Sequence, residues 1–211
     1  MNSVESLDGQ IRFLLEADKL KTVVRQSLIT DESRHENSAE HSWHLALMAL
    51  VLAEHAPATI DVSRVMAMLV VHDLVEIDAG DLVVYADAAA QARQQVAERA
   101  AAERIFALLP QPQAAAVLAL WEEFEERRTP EARFARALDR LQPVLLNMET
   151  GGGTWITHHV TADQELLKAA LIEDGSASLG AYAKAMIATA VERGILLAEA
   201  SPSSATTARE G

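Results

Sequence analysis

Cysteine is absent from this 211-residue chain. Disulfide scaffolds, thiolate zinc sites, iron–sulfur clusters and cysteine nucleophiles are therefore excluded. Aromatics are scarce, with four Phe, three Trp and two Tyr, and there are only 9 Gly and 6 Pro. That mixture favours helices over a many-turned β sandwich. Positive charge is short as well: 18 Lys and Arg stand against 31 Asp and Glu, a net charge of −13. Binding duplex nucleic acid calls for a basic face, and none is visible, so no nucleic acid polymer is expected as a partner. No apolar run nears the roughly 20 residues of a spanning helix. The opening MNSVESLDGQIRF lacks the basic stretch and apolar run of a secretory signal. A cytoplasmic protein with no membrane partner is the resulting expectation.

What remains is rich in Ala and Leu: half the residues are hydrophobic and 23% are charged. The length suits one domain with a sizeable core, expected over 1–199, with a small polar tail at 200–211 expected to fray. Asn2 or Ser3 can cap a first helix whose Leu7, Ile11, Leu14 and Leu15 form one stripe. The stretch 25–37 reads as polar and irregular. Ser38 then caps a helix with His41, His44 or Leu45, Met48 and Leu52 spaced by three and four. Asp61 caps another that carries Val65, Met68 or Leu69, His72, and Val75 or Glu76, and Gly80 stops it. Further helices are expected over 86–109, 112–127, 130–149, 161–173 and 178–199, with a flexible break at Gly151–Gly153. Sustained alternation is lacking, so the chain reads as all-α, a compact bundle of about 7–9 helices.

Seven His are candidates for chemistry. His41 and His72 each lie on an apolar helix face. Asp73 and Glu76 are on or beside the face of His72, and burying those carboxylates without a cation would be costly. One helical turn separates His72 from Glu76. Such a cluster calls for a metal or a proton-transfer role. Asp139 lies on a mostly apolar helix, where it could instead pair with Arg136 or Arg140. Pro143 lacks the N–H that would bond the carbonyl of residue 139, which predicts a kink there.

His41, the doublet His72-Asp73 and the distant Asp139, all on helices, resemble the HD-domain metal-dependent phosphohydrolases. ENSAEHSWHLALMALVLA, VVHDLVEIDAGDL and LWEEFEERRTPEARFARALDRLQPVLLN resemble the branch containing the bacterial 5′-deoxynucleotidases and their eukaryotic relatives. GGGTWITHHV also looks like a feature of bacterial members. The resemblance spans roughly residues 10–198 and implies a helical bundle, often dimeric, around one divalent metal ion. His41, His72, Asp73 and Asp139 would be its ligands. Two imidazoles and two carboxylates suit Mn, Co, Fe, Ni, Zn or Mg. The resemblance makes Glu76 a catalytic acid/base and places Asp81 near substrate and the attacking water. It makes Arg25 a phosphate contact, although Gln26 follows where the deoxynucleotidase has an aromatic residue.

Other residues draw plainer expectations. Arg34 and His35 could stand at the site mouth. Trp43 and His44 are expected to pack or cap, and Trp121 to lie in the core. Trp155, His158 and His159 could wall a pocket, though packing of the last two helices is the simpler role. The 86–109 helix is expected to be scaffold or dimer contact.

The expected function is hydrolysis of a small phosphorylated metabolite, a (deoxy)nucleoside 5′-monophosphate above all. Cleavage of a pyrophosphate or triphosphate linkage is the alternative; it would want several Lys or Arg near the site, and the sequence offers few there. A non-catalytic metal-binding helical protein is the third reading.

Overall fold

The computed structural model describes residues 3–57, 59–81 and 88–199. The possible cap Asn2, the first two residues of the expected 86–109 helix and the 200–211 tail lie outside the described residues. Among the described residues the α-helices are α1 (Ser3–Ala17), α2 (Ser38–Val51), α3 (Val62–Val71), α4 (Glu76–Ala79), α5 (Ala88–Phe106), α6 (Gln113–Glu126), α7 (Pro130–Glu149), α8 (Gly153–Thr157), α9 (Ala162–Gly175) and α10 (Ala177–Glu192). The all-α class holds. No helix of the described residues is long and apolar enough to cross a membrane.

The stretch read as irregular is instead a small antiparallel ribbon, β1 (Val24–Leu28) and β2 (His35–Asn37). Val24 pairs with Asn37 and Leu28 with His35, with an irregularity between. That break in the ladder, together with the polar strands, hides the period-2 signal. The ribbon matters because it aims Arg25 and Glu36 inward, and α2 begins directly after it. Asn37 accepts the Glu40 amide at 3.0 Å, and Glu40 accepts back from the Asn37 amide at 3.2 Å, a capping box that fixes the start of α2.

The segment expected as one helix from Asp61 to Gly80 is three pieces. Asp61 does cap α3, accepting from the Arg64 amide. The helix then tightens into a 3₁₀ turn, His72–Val75, before α4 resumes. Gly80, at φ 75, ends α4 in a backbone state that suits glycine. The tightening turns Leu74 and Val75 toward a core different from the one Val65, Met68 and Leu69 join. The latter pack with α2, α7, α9 and α10; Leu74 and Val75 pack with Leu20, Ile105, Phe106 and Trp121. The chemistry-bearing residues emerge at the seam between the two cores.

α7 is the deepest element. Ala132, Phe134, Ala135, Ala137, Leu138, Leu141 and Val144 are all buried, so a broad apolar face of the helix is core, while Arg136, Asp139 and Arg140 occupy its polar side. It runs through Pro143 without ending. α9 lies close against it: a Cβ added at Gly175 would meet the Ala137 Cβ at 2.7 Å. By contrast, the α1 stripe is not core in this chain, and Leu7, Ile11, Leu14 and Leu15 stay exposed.

Candidate active site

Each element delivers one or two polar groups to the seam. α2 brings His41, the 3₁₀ turn brings His72 and Asp73, α4 brings Glu76, and α7 brings Asp139; all five are buried. Potential ligand atoms of His41, His72 and Asp73 lie within 4.8 Å of one another. Asp139 Oδ1 is 3.1 Å from His41 Nε2 and 3.9 Å from His72 Nε2. The structure thus brings together all four residues of the expected ligand set.

Proton positions test whether these groups suit a metal. His72 Nδ1 lies 2.8 Å from the Leu69 carbonyl, to which it must donate. In the neutral ring Nε2 then carries a lone pair. That atom is buried with no hydrogen-bond partner, although Asp73 Oδ1 lies 3.0 Å away, close but out of alignment for a bond. A lone pair facing carboxylate oxygens is unfavourable until a cation stands between them. Two nitrogens and two carboxylates converging at such distances fit a divalent metal of borderline hardness.

The surroundings hold the set in place. Glu36 was passed over in the sequence, yet it is buried and does three things. Its Oε1 accepts from Gln142 Nε2 at 2.7 Å. Its Oε2 faces His41 Nδ1 at 3.5 Å and Arg25 Nε at 3.7 Å. His41 Nε2 meets Asp139 Oδ1 here; with a cation between the carboxylates, an Nδ1–H turned to Glu36 would leave Nε2 free to ligate. The only sequence sign was Glu36 within E-N-x-x-E-H. Asp139 splits its oxygens: Oδ1 faces the imidazoles, and Oδ2 takes Arg136 at 3.2 Å and Arg140 Nε at 3.7 Å. The ion pairs weighed as an alternative for Asp139 therefore coexist with its central place. Burial would raise the Asp139 carboxyl, but Arg140, His41 and Arg136 outweigh it and hold it well below the usual range.

Arg25 Nη1 meets Asp73 Oδ2 at 3.0 Å and lies 3.9 Å from Glu76 Oε1. Ser38 Oγ donates to Glu76 Oε2 at 2.6 Å, which orients that carboxyl. Burial, then the Asp73 charge, pushes Glu76 well above the usual carboxylate range. Asp81 is also raised by burial. Arg25, His72, Asp73, Glu76, Asp81 and Asp139 all line one cavity of about 360 Å³. Such a volume suits a small metabolite.

Several expectations are corrected here. Basic side chains are not few: Arg127, Arg136, Arg140 and Lys168 join Arg25 on the cavity wall. Arg136 and Arg140 come from α7, Arg127 caps the end of α6, and Lys168 comes from α9, so no single stretch of sequence displays them together. α5 is more than scaffold, because Gln91, Gln94, Gln95 and Glu98 form another wall. Arg34 pairs with Glu40 and His35 Nδ1 bonds the Gln26 carbonyl; neither lines the cavity. Trp43 does not pack into the chain; it is 66% exposed and stacked beside His44. Trp121 and Trp155 are core residues as expected. His158 and His159 lie away from the cavity lining. The three glycines form a defined turn, in which Asn147 Oδ1 accepts from the Thr154 amide at 2.8 Å.

A model of the HD domain family matches residues 17–178, and the chain belongs to that family. It is a hydrolase. A solved structure from Magnetospirillum magnetotacticum MS-1, described as a predicted metal-dependent phosphohydrolase, is 52% identical with a TM-score of 0.88. The match covers 92% of this chain and 96% of that one. The 5′-deoxynucleotidase HDDC2 of Xenopus laevis is 30% identical over 140 residues, 66% of this chain and 68% of the relative. The 5′-deoxynucleotidase hdd1 of Schizosaccharomyces pombe is 25% identical over 148 residues, 68% and 73% of the two chains.

Proposed function

We propose that this hydrolase cleaves a small phosphomonoester, a (deoxy)nucleoside 5′-monophosphate being the first candidate, to the alcohol and inorganic phosphate. The observation that carries the proposal is the buried His72 Nε2, unpartnered and turned toward two carboxylates. His41, His72, Asp73 and Asp139 would hold one divalent ion, whether Mn, Co, Fe, Ni, Zn or Mg. Bound there, such an ion acidifies water and neutralises phosphoryl oxygens. The names of the two deoxynucleotidase relatives support the substrate class.

The chain's own groups do the rest. Arg25 presents a guanidinium to the phosphoryl oxygens, whose charge it offsets. Glu76, oriented by Ser38, takes the proton of the attacking water at the oxygen that faces the cavity. Water oxygen bonds to phosphorus, the ester P–O bond breaks, and the departing oxygen takes up the proton that Glu76 has received. Asp81 stands at the cavity edge, where it can hold that water or the leaving group.

Residues 1–199 are read as one such domain, working in the cytoplasm as a homodimer, with neither membrane nor nucleic acid polymer as partner. Exposed apolar side chains support the dimer: Leu7, Ile11, Leu14 and Leu15 on α1, and Trp43, Leu50 and Val51 on α2. The test is phosphate release from a panel of deoxynucleoside and nucleoside 5′-monophosphates with each candidate metal. Turnover that needs added metal and disappears with chelator is expected. No release from any member with any metal would sink the reading. Pyrophosphate or triphosphate cleavage is the second reading, favoured by the basic lining, and the corresponding di- and triphosphates assayed beside that panel decide it.

A further inference from the structure

The hydrolytic centre accounts for Arg25 but not for the further basic side chains that line the same cavity. Arg127, Arg136, Arg140 and Lys168 form a basic wall of it; Glu98 and Glu125 line the cavity beside them, Asp139 is shared by two of the arginines, and Glu165 pairs with Lys168. Arg136 and Arg140 are one turn apart on α7 and leave it on the same side. Both reach Asp139 Oδ2, yet one carboxylate oxygen cannot satisfy two guanidinium forks. The Nε atoms of both arginines are buried without an acceptor. Lys168 enters from α9, its Nζ 2.7 Å from Glu165. In a chain of net charge −13, four basic groups sharing one concave wall are not a solvated face.

Apolar recognition is sparse by comparison. Val75, Phe124 and Leu171 are the apolar residues among the described lining. The Phe124 ring is flanked by His72 at 4.8 Å and by the Arg136 guanidinium at 5.5 Å. It leaves little face on which a nucleobase could stack.

We propose that this wall is a second anion subsite, and that the substrate is a small phosphomonoester carrying a further phosphate group. The proposal rests on the reading of the hydrolytic centre given above. The phosphate to be cleaved lies by Arg25 and the imidazoles. The second lies among Arg136, Arg140 and Arg127, whose forks match phosphate oxygens in pairs. Lys168 adds a point charge.

Three probes test this: deoxyadenosine 5′-monophosphate, its 3′,5′-bisphosphate and its 5′-diphosphate. Turnover is measured on the native chain. Binding is measured by calorimetry on Glu76→Gln, to keep the ligands intact. One of the two-phosphate compounds should bind at least about tenfold more tightly than the monophosphate, the scale of one charge-assisted hydrogen bond. A preference for the bisphosphate means a separate second phosphate; a preference for the diphosphate means a joined one. Arg127→Gln and Lys168→Gln, which leave the Asp139 contacts in place, should each shrink that preference severalfold. Equal affinity for all three probes overturns the subsite, as does an equal loss for all three in both variants. If the preference in binding holds while none of the probes is hydrolysed, the hydrolytic reading fails and the subsite stands.

Discussion

The segment from α3 to Asp81 and the helix α7 both supply the centre, in opposite ways. The first puts His72, Asp73, Glu76 and Asp81 within ten residues and bends the helix to aim them, exchanging an α turn for a 3₁₀ turn at His72–Val75. The second is a straightforward core helix of 20 residues, with Asp139 set among Leu138, Leu141 and Ala135. Chemistry is concentrated in one and dispersed in the other. The distortion is local where many polar groups must converge, and unnecessary where a single carboxylate projects from a packed face. A mid-helix 3₁₀ turn is a known mark of function for this reason.

Removing the one carboxylate that α7 brings to the centre should therefore do the greatest damage. Asp139→Ala takes away a proposed metal donor and also leaves Arg136 and Arg140 without their shared partner. Activity should vanish and metal content, read by elemental analysis, should fall. The buried guanidiniums then repel each other uncompensated, so the melting temperature should drop as well. Wild-type turnover with full metal in this variant would show that α7 is only a scaffold.

The α4 side should break differently. Glu76→Gln keeps the size of the side chain and its bond from Ser38 but loses the base. Turnover should fall by roughly 10²–10⁴-fold, the usual scale of a positioned acid/base group. KM should change far less, since Arg25 still meets the phosphate. Metal content should remain near that of the native chain. Lost metal would make Glu76 a ligand or its support. Near-normal kcat with full metal would shift the proton-transfer role to Asp81.

The same contrast explains what could be read from the sequence. His72, Asp73 and Glu76 were legible because their spacing is local and their polarity conflicts with an apolar helix face. His41 was legible for the second reason alone. Asp139 needed the family resemblance, since an acid beside Arg136 and Arg140 looks like an ordinary surface pair until burial is known. Glu36 showed only as the first residue of E-N-x-x-E-H, and the place of Lys168 on the cavity not at all: Gln142 and Arg25, and the other cavity-lining groups, lie on elements that only the fold brings together. The β ribbon was missed because its two polar strands meet through an irregular register. The α1 stripe was legible as amphipathic, but no pattern within one chain tells whether such a face meets its own core or another surface.

The smallest expected effect comes from loosening α7 far from the centre. Thr129 caps this helix: its Oγ1 accepts the Ala132 amide at 3.1 Å and donates to Glu123 Oε1 at 2.6 Å. Thr129→Ala should cost about 1 kcal/mol of stability, the typical cap value. Chemical denaturation reads this as a lower midpoint with an unchanged slope. Asp139 lies more than two turns along a buried helix, so kcat per folded molecule should stay at the native value. Acid provides a second check. Burial raises the Glu123 carboxyl, but the bonds from Arg64 and Thr129 more than offset this, and its folded pKa is lowered. A lowered carboxylate stabilises the fold above its unfolded value of about 4.3, and that contribution is lost as pH falls through the folded value. Thr129→Ala removes one of the lowering bonds. Its deficit should therefore be full at neutral pH and shrink in acid. A deficit that stays constant across that window would leave the amide cap as the whole of Thr129's contribution. A fall in kcat would mean that α7 transmits disorder from its first turn to Asp139, and that its packing isolates the centre less than the burial of Phe134, Ala135 and Leu138 implies.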